Sequence, residues 1–280
     1  MSIPKRKIEE IRVRYELEPD LDDLYLEGTI DKEIMDSALR AAPDLFRPCY
    51  TIDDIDVGAE LLAQYGLTSG NRQRVIVLAG ELTLAEHTKV RLLVDRDFED
   101  WLPTLPKLNG LITTKFCDVK TVFFKEEFTK KILLDASRCK IKDWNNFFDS
   151  IKTCLSEIFA LRLEIVASGL NTGLIDFTRC LKIVDELPQL DLHSLSERSL
   201  SSSSTKEDRN ALLQRTIERL PLLRQQPHQF ISRGHDFTKM LSWCVRSTGG
   251  LKAFQNEDTL SRLFVLFAKD ENEDLLEPIQ

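Results

Sequence analysis

The sequence has no apolar run that reaches the roughly 18 residues needed to span a bilayer, so we expect no transmembrane helix. The basic residues at positions 1–7 are not followed by an apolar stretch, which argues against a secretory signal. The six cysteines include no Cys-x-x-Cys pair, which argues against a zinc site or a disulfide framework. We therefore expect a cytoplasmic protein with reduced thiols.

Motifs for two common classes of hydrolase are also missing. The sequence has no Gly-rich phosphate loop ending in Gly-Lys-Ser/Thr, and no Gly-x-Ser-x-Gly turn for a serine nucleophile. The formal net charge of −8 argues against a broadly basic surface for non-specific binding of nucleic acid. This charge does not exclude a nuclease, because a metal site built from carboxylates is itself negatively charged.

Two short acidic stretches are the most informative feature that is present. Each is an apolar run typical of a buried strand, followed at once by carboxylates. The first reads Leu-Tyr-Leu-Glu-Gly-Thr-Ile-Asp at residues 24–31, and the second reads Arg-Leu-Leu-Val-Asp-Arg-Asp-Phe at residues 91–98. In an open α/β sheet, ligands bind beyond the carboxyl ends of the strands. We therefore predict that Glu27, Asp95 and Asp97 converge at one edge of a sheet.

Carboxylates gathered in this way predict a site for a divalent cation. Mg²⁺ prefers oxygen ligands, and Mn²⁺ is an alternative. Asp95 and Asp97 share one face if their strand continues. Asp31 falls in the first turn of a helix capped by Thr29, where it is an additional ligand or supports one. Glu27 is then a metal ligand or the general base in hydrolysis of a phosphodiester.

The order of the predicted elements indicates an α/β fold with a mostly parallel sheet flanked by helices, followed by a helical C-terminal region. Strands are predicted at residues 11–17, 24–27, 50–55, 89–94 and 111–114. The segment at residues 72–84 fits either a helix or a strand. Helical spacing dominates afterwards, at residues 119–134, 144–167, 175–187, 209–220, 237–246 and 260–268.

This layout predicts an α/β domain at residues 1–135 and a mainly helical region at residues 136–280. A Ser-rich stretch at residues 194–208 is typical of a loop or linker, and the acidic residues 270–274 are predicted to fray. The helix at residues 144–167 carries more apolar side chains than one small layer requires, which predicts a homodimer or a docked partner. These side chains are Ile158, Phe159, Leu161, Leu163, Ile165 and Val166.

The two acidic stretches resemble the signature of the Toprim domain, which is found in topoisomerases, primases and OLD-type nucleases. That signature is a Glu, usually followed by Gly, after the first core strand, and an Asp-x-Asp after a later strand. Glu27-Gly28 and Asp95-Arg96-Asp97 match it. Asp-Arg-Asp-Phe at residues 95–98 and Gly-His-Asp at residues 234–236 are similar to a Toprim-like family encoded beside ABC-type ATPases. Within that family, the chain most resembles the effector subunits of PARIS anti-phage defence systems.

The resemblance implies a Mg²⁺-dependent nuclease with Glu27, Asp95 and Asp97 as catalytic residues and metal ligands, and Asp31 as a further ligand. It implies an ABC-type ATPase partner that keeps the nuclease silent until infection is sensed, and a homodimer as the active form. The implied substrate is host tRNA, with DNA as an alternative, so the released effector acts as a toxin. Relatives often carry another acidic residue after the next strand, at the position that Lys120 occupies here. Either Asp118 takes its place, or Lys120 binds a phosphate of the substrate.

Two other functions stay open from the residues alone. An Asp-x-Asp pair also occurs in haloacid-dehalogenase phosphatases, in which Asp95 would be the nucleophile and Asp97 the acid and base. Alternatively, the Toprim-like core is a scaffold without catalysis, and the helical region docks on a partner. In the C-terminal motif, Asp236 fits a helix N-cap, and His235 either has no role or contacts the metal edge.

Overall fold

The chain divides into two units by its internal contacts. A computed structural model describes residues 5–84, 88–170, 172–200 and 206–280, with the backbone alone at residues 206 and 207. The first unit combines Met1–Val119 with Phe264–Gln280, and the second unit is Lys120–Leu263. The predicted division lies after residue 135, with the C-terminal segment in the helical region.

The first unit alternates strands and helices. It begins with β1 (Arg6–Lys7), α1 (Ile8–Leu17), β2 (Leu24–Leu26) and α2 (Thr29–Ala41). Next come β3 (Cys49–Thr51), β4 (Ile55–Asp56), α3 (Ala59–Gln64) and α4 (Asn71–Leu82). The last two strands of this unit are β5 (Arg91–Val94) and β6 (Leu111–Thr113).

Four of these strands form a parallel sheet in the order β3-β2-β5-β6. This sheet and its flanking helices confirm the predicted α/β class. Strand β3, the next strand of this sheet along the chain, pairs with one edge of β2, and β5 pairs with the other edge. The strand order therefore reverses between β2 and β5. In open sheets, the crevice outside this switch point is where ligands bind.

Helices cover both faces of the sheet. Tyr25, Leu92 and Val94 belong to a buried cluster that includes the apolar faces of α1 and α4. Because side chains alternate along a strand, Leu24 and Leu26 point to the opposite face, against which α2 packs. The central strands β2 and β5 are therefore buried on both sides for most of their length.

The predicted strand at residues 11–17 is wrong, because this segment belongs to helix α1. Ile8, Ile11 and Tyr15 are buried, and their spacing of three and four residues places them on one side of a helix. Val13, which the alternating pattern had placed in the core, is exposed. The undecided segment at residues 72–84 is also helical and forms most of α4.

The second unit is mainly helical. Its elements are α5 (Glu126–Lys130), α6 (Trp144–Ala167), β7 (Leu181–Val184), β8 (Leu187–Leu190), α7 (Leu192–Ser199), α8 (Lys206–Leu223) and α9 (Gly234–Ser247). Helix α10 (Glu257–Phe267) ends in the first unit, which also contains α11 (Asn272–Leu276). Helix α6 has the predicted bounds. None of the described helices combines the length and the apolar character required to cross a membrane.

The prediction of a helix at residues 175–187 is wrong for most of its length. Strands β7 and β8 form an antiparallel hairpin there. Asp185 and Glu186 connect them with φ angles of 50° and 68°. Two consecutive left-handed residues are what a two-residue hairpin turn of the primed type requires. Asp-Glu is an uncommon choice for this turn, which explains why the pattern favoured a helix.

Two further segments are more ordered than predicted. The expected loop at residues 194–208 begins within α7, which Asp191 caps by accepting a hydrogen bond of 2.9 Å from the Ser194 N–H. Residues 201–205 of that prediction lie outside the described residues. The acidic stretch at residues 270–274 does not fray, because it runs into α11, whose two leucines are buried.

The apolar side chains that predicted a partner surface on α6 are mostly buried inside the second unit. Val166 is 52% exposed, and the other five are buried. The five buried residues are Ile158, Phe159, Leu161, Leu163 and Ile165. The apolar excess of α6 is therefore used by the unit itself and no longer argues for assembly.

Asp236 is not the helix N-cap that the sequence predicts, because Arg233 occupies that position of α9. Instead, Arg162 on α6 donates two hydrogen bonds of 2.8 Å to the two carboxylate oxygens of Asp236. The Asp236 side chain is 3% exposed, so this is a buried ion pair between two helices. His235 is exposed, and its Nδ1 lies 3.8 Å from Glu257.

We predict that Arg162→Met lowers the free energy of unfolding by about 3 kcal/mol, because it leaves a buried carboxylate without its cation. Urea unfolding at neutral pH measures the change. The control is Glu127→Ala, which removes an exposed ion pair with Lys131 and should cost less than about 0.5 kcal/mol. Equally small effects of the two substitutions would contradict the role of the buried pair.

Candidate metal centre at the carboxyl edge of the sheet

The ends of β2 and β5 meet as the sequence predicts. The two strands are parallel neighbours, with Leu24 opposite Arg91 and Tyr25 opposite Leu92. Just beyond them, Glu27 Oε1 accepts a hydrogen bond of 2.8 Å from the Asp95 N–H. A carboxylate from one strand end is therefore fixed to the main chain of the other, at the point where the strand order reverses.

The first turn of α4 holds this edge together. Asn71 Nδ2 donates to the Glu27 carbonyl at 2.8 Å, and the Arg72 guanidinium donates to the Asp95 carbonyl at 2.6 Å. Arg74 donates to the carbonyl of Ile52, directly after β3, at 2.7 Å. One helical turn thus ties down the chain beyond three neighbouring strands. The only sequence signal for it is the polar run Asn-Arg-Gln-Arg ahead of an apolar stretch.

The segment that carries Asp97 is a turn and not a continued strand. Strand β5 ends at Val94, and Asp97 has a left-handed φ of 47°. The strand does not continue, so the condition under which Asp95 and Asp97 were expected to share one face is not met. The Asp97 N–H donates to the Cys117 carbonyl at 2.8 Å, which fastens the turn to the chain after β6. Aspartate is among the residues that adopt this conformation most readily.

Arg72 contacts the side chains of this turn as well as its main chain. Its guanidinium lies 3.3 Å from Asp97 Oδ2 and 2.5 Å from Glu99 Oε1. Glu99 Oε2 also accepts hydrogen bonds from the main-chain N–H groups of Thr104 and Leu105, at 2.8 and 3.0 Å. Neither Arg72 nor Glu99 was predicted from the sequence, since their partners lie far apart along the chain.

Arg96, between the two aspartates, turns away from the carboxylates. Its Nε donates to the Thr114 carbonyl at 3.0 Å, and its Nη1 donates to Asp100 at 3.1 Å. Its own N–H donates to Thr114 Oγ1 at 3.0 Å. Arg96 therefore joins the turn to the end of β6.

Asp31 lies in the first turn of α2 as predicted, but the N-cap is Gly28, one residue before the predicted Thr29. A Cβ atom on Gly28 would come within 3.0 Å of Asp31 Oδ2. Gly28 has an extended φ of −141°, which any residue adopts. A larger residue here would therefore crowd the Asp31 carboxylate and displace it by a few tenths of an ångström.

Electrostatics show that the carboxylates form one group. The pKa of Glu27 is raised from 4.5 to about 7. Burial is the largest cause and the charges of Asp97 and Asp31 add to it, against the lowering effects of the Asp95 N–H and Arg72. Burial also raises the pKa of Asp95 well above its usual value, and the largest contribution from a charge comes from Asp118.

Asp118 therefore belongs to the site. It is 8% exposed and follows β6, and the sequence could only suggest it. The charges of Asp31, Glu27 and Asp97 also raise the pKa of Asp95. Asp95 is therefore influenced by the other four carboxylates at the carboxyl edge of the sheet.

The donor set fits a hard divalent cation in chemistry and charge. Every donor is a carboxylate oxygen, which Mg²⁺ and Mn²⁺ prefer, and a cation would relieve the repulsion that raises the pKa values of Glu27 and Asp95. Across the described ranges, however, no group of three or more His, Cys, Asp or Glu side chains already has the arrangement of a metal site. The fit is thus one of donor type and charge and not of preformed ligand distances.

No model of a known protein family matches the chain, and no curated protein matches it either. The class of protein to which the chain belongs is therefore argued from the fold and from this site.

We predict that Glu27→Gln stabilises the protein at about pH 8 and has no such effect at about pH 4. Because the folded state raises the pKa of Glu27 from 4.5 to about 7, the stability that this group contributes is full below pH 4.5 and is lost as the pH rises through 7. Glutamine keeps the acceptor oxygen without the charge. The expected gain at about pH 8 is about 2 kcal/mol in urea unfolding.

Glu99→Gln is the matched control, because its effect on stability should have the opposite sign to that of Glu27→Gln. Burial raises the pKa of Glu99, but hydrogen bonds from Thr104 and Leu105 and the charge of Arg72 lower it overall. Stability from Glu99 is therefore present at neutral pH and is lost as the pH falls, so Glu99→Gln should destabilise at about pH 8. The account of the site fails if both variants change stability in the same direction at this pH.

Proposed function

We propose that the chain is a Mg²⁺-dependent nuclease of the Toprim-like class. The observation that carries the proposal is the hydrogen bond between Glu27 and the Asp95 N–H, which joins the two acidic motifs at the switch point of a parallel sheet. Asp31, Asp97 and Asp118 add negative charge at the same edge. Perturbed carboxylates in a strand-end crevice are typical of functional sites.

The resemblance to Toprim domains gains support from the order of the strands. The Glu-Gly motif follows a central strand of a four-stranded parallel sheet, and the Asp-x-Asp motif follows the strand beside it. These are the relative positions that the Toprim signature describes. The left-handed turn at Asp97 is compatible with the signature, because the signature fixes the end of the strand and not its continuation.

Glu27 is suited to move a proton near neutral pH. Its Oε1 accepts the hydrogen bond from the Asp95 N–H, so proton acceptance from an attacking water falls to Oε2. A pKa of about 7 leaves a substantial fraction of Glu27 ionised at neutral pH while keeping it a usable base. Asp95, Asp97 and Asp31 would hold the cation, with Asp118 close by. A bound Mg²⁺ supplies an acidified water and neutralises charge on the phosphoryl oxygens.

We further propose that the chain is a cytoplasmic effector of an anti-phage defence system that cuts host tRNA when an ABC-type ATPase releases it, and that its active form is a homodimer. The motif resemblance alone supports this finer proposal. The second unit would carry the surface for the ATPase. Since most apolar side chains of α6 are buried in that unit, docking would use other exposed positions.

A haloacid-dehalogenase phosphatase is less well supported. That mechanism uses Asp95 and Asp97 but assigns no role to Glu27, although the Glu27 carboxylate accepts a hydrogen bond of 2.8 Å from the Asp95 N–H.

We predict that the isolated chain, free of any ATPase, cleaves labelled tRNA in the presence of Mg²⁺ or Mn²⁺ and that EDTA abolishes the cleavage. Glu27→Gln and Asp95→Asn should each lower the rate by about 100-fold or more, because they remove the base and an anionic donor. Gel analysis of RNA ends, with DNA oligonucleotides in parallel, measures the rate and identifies the substrate.

The control variant is Asp36→Asn, on the same helix as Asp31 but paired with Lys32 and outside the carboxylate group. It should cleave at the wild-type rate. Cleavage that survives Glu27→Gln would refute the proposed mechanism. A phosphate trapped on Asp95 would identify a phosphatase, and no cleavage of any nucleic acid under these conditions would leave the interaction subunit as the better account.

A further inference from the structure

We propose that Arg72 is the positioning residue for Asp97, and that through this contact it sets the affinity of the site for its cation. The inference rests on the proposed metal-dependent function. The Arg72 guanidinium donates to the Asp95 carbonyl at 2.6 Å, lies 3.3 Å from Asp97 Oδ2, and lies 2.5 Å from Glu99 Oε1. A single side chain thus contacts the start, the middle and the end of the turn.

The turn needs such a contact because the sheet does not hold it. The ladder between β5 and β6 ends at Val94, so Asp97 receives no support from strand pairing. Its main-chain N–H is bound on one side by the Cys117 carbonyl, and its φ of 47° belongs to a conformation that is costly for most residues. The orientation of the Asp97 side chain therefore depends on what contacts its carboxylate.

Glu99 gives Arg72 a fixed anchor. Its Oε2 accepts hydrogen bonds from the main-chain N–H groups of Thr104 and Leu105, and its Oε1 accepts from the Thr104 hydroxyl and from Arg72. Arg72 is itself only 15% exposed and comes from the first turn of α4, which is tied to the sheet. Both sides of the Arg72–Glu99 contact are thus held by rigid structure.

Arginine is specifically suited to this role. Its planar fork can donate to a carbonyl and to two carboxylates at once, whereas a lysine ammonium is a single point of charge on a flexible stem. Arg72→Lys therefore keeps the positive charge beside the carboxylates but loses the fork. Any loss of cation affinity in this variant reports positioning and not the total charge of the site.

Arg74 provides a matched control on the same helical turn. It contacts the Asp53 carboxylate at 2.8 Å and donates to the carbonyls of Ile52 and Ile55 at 2.7 and 3.1 Å. Arg74 also donates to Asn71 Oδ1 at 3.1 Å, within the same helical turn. Its partners thus include a carboxylate and main-chain carbonyls, as for Arg72, but none of them belongs to the turn that carries Asp97. Arg74→Lys therefore reproduces the loss of a fork without releasing the turn.

The experiment measures thermal stabilisation of the full chain as a function of Mg²⁺ concentration, without substrate. Loss of an outer partner of a metal ligand typically weakens metal affinity about tenfold or more. We predict that Arg72→Lys needs about tenfold more Mg²⁺ than the wild type for half-maximal stabilisation, and that Arg74→Lys needs the same concentration as the wild type. Mn²⁺ should give the same pattern.

Glu99→Gln keeps the inference testable if Arg72→Lys does not fold. Glutamine has one acceptor oxygen, whereas Glu99 divides its contacts between two oxygens, so the contact of residue 99 with Arg72 is weakened. Glu99→Gln should therefore raise the required Mg²⁺ concentration as Arg72→Lys does. The double variant Arg72→Lys/Glu99→Gln should bind Mg²⁺ no more weakly than either single variant, because the two residues act on Asp97 through one contact.

The outcomes separate this inference from the function on which it rests. A wild-type chain that Mg²⁺ and Mn²⁺ do not stabilise overturns the metal-dependent function, and the role of Arg72 with it. If Mg²⁺ stabilises the wild type, but Arg72→Lys and Glu99→Gln need no more Mg²⁺ than the wild type, the role of Arg72 alone is overturned. The same conclusion follows if Arg74→Lys needs as much Mg²⁺ as Arg72→Lys.

Discussion

Like-charged carboxylates held together at the carboxyl edge of the sheet are the constraint on which the candidate site depends. Glu27 and Asp95 belong to neighbouring strand ends, and a hydrogen bond from the Asp95 N–H keeps the Glu27 carboxylate in place although the nearby charges of Asp97 and Asp31 oppose its ionisation. The first turn of α4 supports the same edge by binding the chain beyond three strands. Holding repelling carboxylates together is unfavourable and must be offset by stabilising contacts elsewhere in the protein. Such an arrangement is expected at a functional site.

Buried carboxylates in the second unit are paired with arginine side chains. Asp236 is matched by Arg162, and Glu164, which is 4% exposed, lies between Arg215 and Arg219. These pairs join α6 to α9 and to α8, so they have an evident structural purpose. At the edge of the sheet, Arg72 pairs with Asp97 and Glu99, but burial and neighbouring carboxylates raise the pKa values of Glu27 and Asp95. This incomplete compensation of charge at Glu27 and Asp95 is a physical reason to assign chemistry to the first unit.

The parts of the fold that the sequence could predict are those fixed by local pattern. The buried runs of β2 and β5 and the long apolar stretch of α6 each admit one interpretation. The segment at residues 11–17 failed because its alternating apolar residues overlap with a helical set that begins earlier, at Ile8. The hairpin of β7 and β8 failed because Asp185 and Glu186 are not typical turn residues.

The residues of the candidate site likewise divide into those that the sequence could predict and those that it could not. Glu27 and Asp95 were predictable because parallel strands bring their carboxyl ends to one edge. The left-handed turn at Asp97 and the contacts of Arg72 with Glu99 were not, because they depend on where α4 lies in the folded chain. The most direct test of the central claim is anomalous diffraction from crystals soaked in Mn²⁺. The account predicts an anomalous peak in contact with the carboxylate oxygens of Asp95 and Asp97. Ordered side chains at this edge with no peak beside them, at a saturating Mn²⁺ concentration, would contradict it.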